Sequence, residues 1–182
     1  MSRNALLLIF LCGSAISFTP RQNKEYVCLP CGYDCDREIH NSPGACHGCG
    51  MSLIDKSTIR YGDISVDAFC SRIASNPNAV LLDVRTPGEF NGTIKEVPSF
   101  GHFKNAININ VEELERRVSE LEKYKDKEVL VYCSHSHRSP RASYFLSTHG
   151  FKQVTNMSGG VSTFIGKQDI DCLKKYFLFH KF

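Results

Sequence analysis

An α/β fold with a mainly parallel central sheet, flanked by helices, is what this sequence predicts. Two runs carry the prediction, "AVLLDVR" (79–85) and "EVLVYC" (128–133). Both are short and continuously apolar, as strands covered on two faces are. The third observation is alternation: segments with helical spacing lie between and after the apolar runs, as in a parallel sheet built with crossover helices. The 182 residues suffice for one ordinary domain and a small appendage. The net charge is +3 and no block of Lys or Arg stands out, so the composition does not imply a nucleic-acid partner. The hydrophobic content of 42% is that of a globular protein.

Residues 1–17 read as a secretory signal peptide. Arg3 precedes an apolar stretch from Ala5 to Cys12, and small residues follow at Gly13, Ser14, Ala15 and Ser17. Cleavage is expected after Ser17, giving an exported protein, periplasmic or secreted, that meets a membrane only through this segment. Cys12 raises a lipoprotein alternative, which the bulky Leu11 disfavours. Residues 18–25 are a polar linker.

Residues 26–55 form a Cys-rich module without a long apolar run. Such a piece needs staples, because it cannot bury enough surface to hold itself. Cys28, Cys31, Cys35, Cys46 and Cys49 crowd into it. Cys28-x2-Cys31 and Cys46-x2-Cys49 are two knuckles that can present four thiolates tetrahedrally to zinc. Zinc is the default ion for such a set, in a structural role, since four thiolates leave no open position. Cys35, His40 and His47 keep the ligand set open, and disulfides remain the alternative to metal.

From about residue 58 the texture is that of a domain running to 182. "STIRYGDISVDAFCSRIAS" predicts a strand and then a helix, with Ser65 as N-cap and Val66, Phe69 and Ile73 on one face. Asn76 and Pro77 end it. "AVLLDVR" is a central strand, the stretch from Asn91 to Gly101 a loop, and "NAININ" (105–110) a short strand. "VEELERRVSELEKY" predicts one helix, with Val111, Leu114, Val118 and Leu121 at spacings of 3, 4 and 3. "EVLVYC" is another buried strand. "SPRASYFLSTHG" is a helix stopped by Gly150, and "QVTNMSGG" a last strand and turn before a C-terminal helical segment. Cys70 reads as core, and Cys172 is left as a candidate resolving or relay thiol.

The chemistry concentrates where "EVLVYC" ends. In open α/β sheets ligands bind beyond the carboxyl ends of the strands. Cys133 sits there, before a helix whose first N–H groups and dipole stabilise an anion. Arg138 adds a permanent positive charge for an anionic substrate. Ser134, Ser136 and Ser139 are small polar residues that allow close backbone approach, and Pro140 falls in the first helical turn. Together these form an anion-cradling loop around a nucleophilic cysteine. His135 and His137 are open between exposed polar filler and groups that tune substrate binding or bind metal.

Four segments resemble the rhodanese-like family, in its order, over about residues 60 to 166. They are "LLDVRTPGEF" (81–90), "GHFKNAININ" (101–110), "VYCSHSHRSPRAS" (131–143) and "NMSGGVSTF" (156–164). The resemblance implies a rhodanese-like fold and a sulfurtransferase in which Cys133 carries sulfur as a persulfide. Ser134, His135, Ser136, His137 and Ser139 would then form the substrate loop, with Cys133 and Arg138 in the catalytic role. Four residues between Cys133 and Arg138 favour sulfur over phosphate, since related phosphatases carry one residue more. The implied partners are a small anionic sulfur donor, such as thiosulfate, and a thiol acceptor. The sulfur-transfer step needs no cofactor. Ser136 stands where many family loops carry Gly, and Phe164 where Trp is usual. Asp83 and Arg85 are read as a structural pair, Glu89 as surface or scaffold, and His102 as a satisfied loop histidine. Residues 92–100 look like an insertion that rims the site. The Cys-rich head is similar to a zinc ribbon or a small heavy-metal-binding module ending in Cys-Gly-Met. An inactive, metal- or redox-responsive binding module is the alternative function, and phosphatase or arsenate reductase chemistry a more distant one.

Overall fold

The computed structural model describes residues 23–98 and 100–180. The signal peptide expected over 1–17 and most of the linker lie outside them. Among the described residues, no helix is long and apolar enough to cross a membrane.

The Cys-rich module is a small three-stranded antiparallel sheet. Its strands are β1 (Tyr26–Val27), β2 (Ile39–His40) and β3 (Ile54–Asp55), with β1 in the middle. A 3-10 turn at Asp34–Arg37 carries Cys35 inward, and the sulfurs of Cys28, Cys35 and Cys46 are the buried centre. No other apolar group is fully buried in that cluster, as a segment stapled through its cysteines requires.

The larger domain is a five-stranded, wholly parallel sheet with helices around it. It begins with β4 (Gly62–Ile64) and α1 (Val66–Ser75). Ser65 caps α1, its hydroxyl accepting the N–H of Ala68, and Phe69, Cys70 and Ile73 are the buried face. Then come β5 (Val80–Asp83), α2 (Pro87–Asn91), β6 (His102–Phe103), β7 (Ile107–Asn108), α3 (Leu114–Arg117) and β8 (Glu128–Tyr132). The chain ends with α4 (Arg138–Thr148), β9 (Gln153–Met157), α5 (Asp171–Tyr176) and β10 (Phe177–Leu178). Sheet order is β4-β9-β8-β5-β7, so β8 is central and every one of its residues is buried.

Three expectations are corrected here. The helix predicted over "VEELERRVSELEKY" is α-helical only at Leu114–Arg117 and continues as a 3-10 helix, Val118–Tyr124. Glu113 at its N-terminus makes no side-chain cap, and the 3, 4, 3 spacing serves either helix, so Leu114 and Leu121 still reach the core. The C-terminal segment is not only helical: β10 pairs antiparallel with β6, Phe177 opposite Phe103. Cys70 lies in the core as expected, but Cys172 is not a free relay thiol, for α1 and α5 bring the two together as a disulfide across 102 residues of sequence.

Candidate active site

Cys133 follows directly on β8, at the carboxyl end of the central strand, and is 1% exposed. The chain then turns through residues 134–137 into α4, which starts at Arg138. Among the described residues, none accepts a hydrogen bond from the backbone N–H of Ser134, His135, Ser136 or His137. The hydroxyl of Ser139 donates to Cys133 Sγ at 3.3 Å. The loop is backed by the closing "SGG" turn: Val161 N–H donates to Cys133 O at 3.0 Å and Ser162 N–H to Ser134 O at 2.9 Å. Gly160 is required there, since a Cβ would lie 2.2 Å from Ser134 O and its φ is +68°.

Ser136 takes the left-handed conformation, φ +58°, that its place in the loop led one to fear for a non-Gly residue. The strain, about 1–2 kcal/mol for an L-residue, is met by a clamp that the sequence did not reveal. Asn156 on β9 donates from Nδ2 to Ser136 Oγ at 3.1 Å and to Asp63 Oδ1 at 2.5 Å. Nothing in "VTNMSGG" marks Asn156 out, because the contact spans 20 residues and forms only when β9 lies beside β8.

Arg138 does not stand free over the loop. Both Nη atoms donate to the Glu89 carboxylate at 2.7 Å, and Nη2 also reaches Ser134 Oγ at 3.1 Å. Ser134 in turn donates to Glu89 Oε1 at 2.9 Å. Glu89 is therefore a buried partner of the loop rather than a surface residue. Burial pushes its carboxyl up, but the hydrogen bonds from Arg138, Thr86 and Ser134 overcome this and hold it at about 2. Thr86 and Glu89 form a reciprocal capping box that fixes α2, and through it the carboxylate.

Behind this layer Asp83 and Arg85 are fully buried and doubly hydrogen-bonded, Arg85 Nη2 also donating to Gly101 O at 2.6 Å. They are structural. His102 Nδ1 is hydrogen-bonded to Phe90 O at 2.8 Å, and its ring stacks on Phe90 at 4.1 Å. Ile94, Val97, Pro98 and Phe100, from the segment read as an insertion, line one hollow with Ser134, His135 and Arg138. His135 faces this hollow, and burial pushes its imidazole toward the neutral form, with His137 and Arg138 adding to the effect. His137 turns the other way. Its ring lies against Gly32, where a Cβ would be 2.3 Å from Nε2, so the first knuckle of the Cys-rich head abuts the loop.

In the head, the sulfurs of Cys28, Cys31, Cys35 and Cys49 lie within 4.8 Å of one another. Cys28 and Cys49 are 3.2 Å apart, Cys31 and Cys35 3.6 Å. The expected set held Cys46 in place of Cys35. The 3-10 turn lifts Cys35 into the group, while Cys46 is buried beside it. Around an ion with bonds of about 2.3 Å, tetrahedral thiolates sit somewhat under 4 Å apart, so these four fit such an ion. Asp36 braces the first knuckle, accepting from the N–H groups of Cys31 and Gly32 and from the Cys31 thiol. The backbone N–H of Met51, with the thiol of Cys28, lowers the Cys49 thiol to about 7, while burial pushes those of Cys28 and Cys35 well up. His40 and His47 are instead placed against Glu38, at 3.7 and 3.5 Å.

Residues 66–167, more than half of the chain, match the Rhodanese-like domain family. The chain belongs to that family. An uncharacterized protein of Bacillus subtilis, YqhL, is 38% identical over 89 residues, which cover 49% of this chain and 63% of that relative. A tRNA uridine(34) hydroxylase of Cronobacter sakazakii is 29% identical over 121 residues, 63% of this chain. The chain spans only 32% of that relative's length. Among solved structures, reduced CoADR-RHD from Bacillus anthracis superposes with a TM-score of 0.50 at 25% identity, over 65% of this chain and 18% of that one. As a rhodanese-like domain, the chain carries its cysteine, arginine and closing glycines in one connected site, and the Cys-rich head is an addition N-terminal to the matched segment.

Proposed function

We propose that this protein is a sulfurtransferase in which Cys133 carries sulfane sulfur between a small anionic donor and a thiol acceptor. One observation carries the reading. Cys133 is held at the carboxyl end of β8 by a loop whose four N–H groups, from residues 134–137, find no acceptor among the described residues. Backbone donors so gathered before a helix stabilise a sulfur anion. The Cys133 sulfur attacks the outer sulfur of thiosulfate; an S–S bond forms, the sulfur–sulfonate bond breaks, and sulfite leaves with the electron pair. The terminal persulfide sulfur then rests against the loop N–H groups. An acceptor thiol removes it, and the electron pair of the broken S–S bond returns to Cys133. Ser139 positions the sulfur, while Arg138, Glu89 and Ser134 fix the loop. The hydroxylase relatives suggest other chemistry by name, but no feature of this site favours it over sulfur transfer.

The reading extends to the head, where Cys28, Cys31, Cys35 and Cys49 would hold zinc. The ion would cross-link the module and offer no open position for a reaction. An oxidising compartment outside the cytosol is supported by the Cys70–Cys172 disulfide.

The test is intact mass of the reduced protein after treatment with thiosulfate, beside a Cys133→Ser variant. One added sulfur, absent from the variant and removed by cyanide, is the expected result. A folded protein that gains no sulfur would overturn the proposal and leave the metal- or redox-responsive binding module as the leading function.

A further inference from the structure

Beside the loop lies a second hollow of about 360 Å³, lined by Pro98, Phe100, His135, Phe164, Ile165 and Phe179, among others. Among the described residues, no charged side chain lines it. It shares the wall formed by Pro98, Phe100 and His135 with the hollow of about 380 Å³ that reaches Glu89, Ser134 and Arg138. Phe100 meets the His135 ring edge-on at 6.0 Å, so the shared wall is aromatic on both faces. Ile165 remains 66% exposed at the rim of this hollow. Large apolar side chains left bare beside the loop that carries Cys133 call for an apolar partner.

We propose that this apolar cleft seats the organic substituent of a small, uncharged thiol that takes the sulfur from Cys133. The inference rests on the sulfurtransferase reading and names the class of acceptor. The two hollows divide the reaction. The one with Ser134 and Arg138 is the polar side, its arginine paired with Glu89, and takes the small anionic donor in the proposed reaction. The other offers an aromatic or aliphatic group a dry surface and no charge to pair with, which disfavours peptide-like acceptors carrying carboxylates. His135, between them, is held toward its neutral form by burial and adds no charge to the cleft. The volume is at the small end of ligand pockets, suited to a single ring or a short alkyl chain. In the step itself the acceptor's sulfur attacks the terminal sulfur of the Cys133 persulfide. A new S–S bond forms on the acceptor, the Cys133 S–S bond breaks, and its electron pair stays on Cys133. The acceptor's thiol proton passes to its new terminal sulfur, so an organic hydropersulfide departs and no oxidant is consumed.

The experiment loads the full chain with thiosulfate, confirms one added sulfur by mass, and removes excess donor. Discharge is then followed with phenylmethanethiol and with 2-mercaptoethanol, thiols of similar acidity, and with cyanide. Phenylmethanethiol should half-saturate at a concentration about tenfold or more below that of 2-mercaptoethanol, as burial of part of one ring implies. Ile165→Asp places a charge at the exposed rim and should collapse that ratio toward one. Because the ratio is read within each variant, loss of folded protein cancels. A loaded protein with no preference for the apolar thiol overturns the cleft assignment alone. A preference that survives Ile165→Asp overturns it as well. Loss of the preference with rising protein concentration, alongside dimers in sedimentation, would assign the cleft to a second copy of the chain and also overturn the proposal. Failure to load any sulfur sinks the sulfurtransferase reading, and this inference with it.

Discussion

Replacing Glu89 by Gln should cost about 3 kcal/mol of folding stability at pH 7. Glu89 accepts from both Nη atoms of Arg138 at 2.7 Å, from Ser134 Oγ at 2.9 Å, and from the Thr86 hydroxyl and N–H at 2.9 and 3.1 Å. Glutamine keeps the shape but turns one acceptor oxygen into an NH2 group that faces donors, and it leaves a largely buried guanidinium uncompensated. A folded value of about 2 against an ordinary 4.5 corresponds to about 3 kcal/mol. The sign follows from linkage. The carboxyl is depressed in the folded state, so its contribution is complete above pH 4.5 and disappears as the pH falls through about 2. Urea denaturation of the two proteins at pH values from 7 to 2 measures it, because other carboxyls titrate in both and drop out of the difference. The gap between wild type and Glu89→Gln should be full at pH 7 and 5 and shrink steadily below 4.5. A gap under about 1 kcal/mol at pH 7, or one that stays constant to pH 2, would refute the assignment of Glu89 as the ionised anchor of the loop.

At Ser136, glycine should be tolerated to within about 1 kcal/mol, because relief at φ +58° offsets the lost Asn156 hydrogen bond. Valine at the same place should cost about 2 kcal/mol or more in the same urea assay, being β-branched in the left-handed region and unable to hydrogen-bond. Cys35→Ser should abolish zinc binding by the purified protein and Cys46→Ser should leave it in place, by metal analysis after dialysis; the reverse pattern would restore the ligand set suggested by knuckle spacing alone. Cys172→Ser should destabilise the domain by about 4 kcal/mol in denaturant, since the disulfide closes a loop of 102 residues. A loss below about 1 kcal/mol would mean that α5 holds to α1 without it.

The sheet and the strand–loop–helix that carries Cys133 were legible because local patterns announce them. The all-buried β8 needs a continuous apolar run, and Ser65 and Gly150 mark helix ends by their own chemistry. Cys133 was found from the break between an apolar strand and a polar loop. What was not legible depends on partners far apart in sequence. Glu89 meets Arg138 across 49 residues, and Asn156 meets Asp63 across 93. No periodicity reports such contacts. That the Cys35 sulfur joins those of Cys28, Cys31 and Cys49 depends on a single 3-10 turn at Asp34–Arg37, which knuckle spacing cannot anticipate. The 3-10 continuation of α3 was hidden for a different reason, since its apolar spacing is shared by both helix types.

These long-range partners also bear on which anion the loop accepts. The loop is pinned from both sides by carboxylates. Glu89 holds its Arg138 end from α2, and Asp63, through Asn156, holds Ser136 from β4. Arg138, the residue expected to grip a donor, already spends both Nη atoms on Glu89. The site thus offers an arriving anion uncommitted backbone N–H groups and little net positive charge. Any dianion, thiosulfate as much as phosphate, would meet two nearby carboxylates and an arginine already paired, so this charge balance does not by itself separate the two. A persulfide sulfur carries one diffuse negative charge at most, which backbone donors alone can satisfy. The paired arginine therefore suits the singly charged persulfide of the proposed reaction, while the preference for a sulfur donor over phosphate rests on the short span from Cys133 to Arg138.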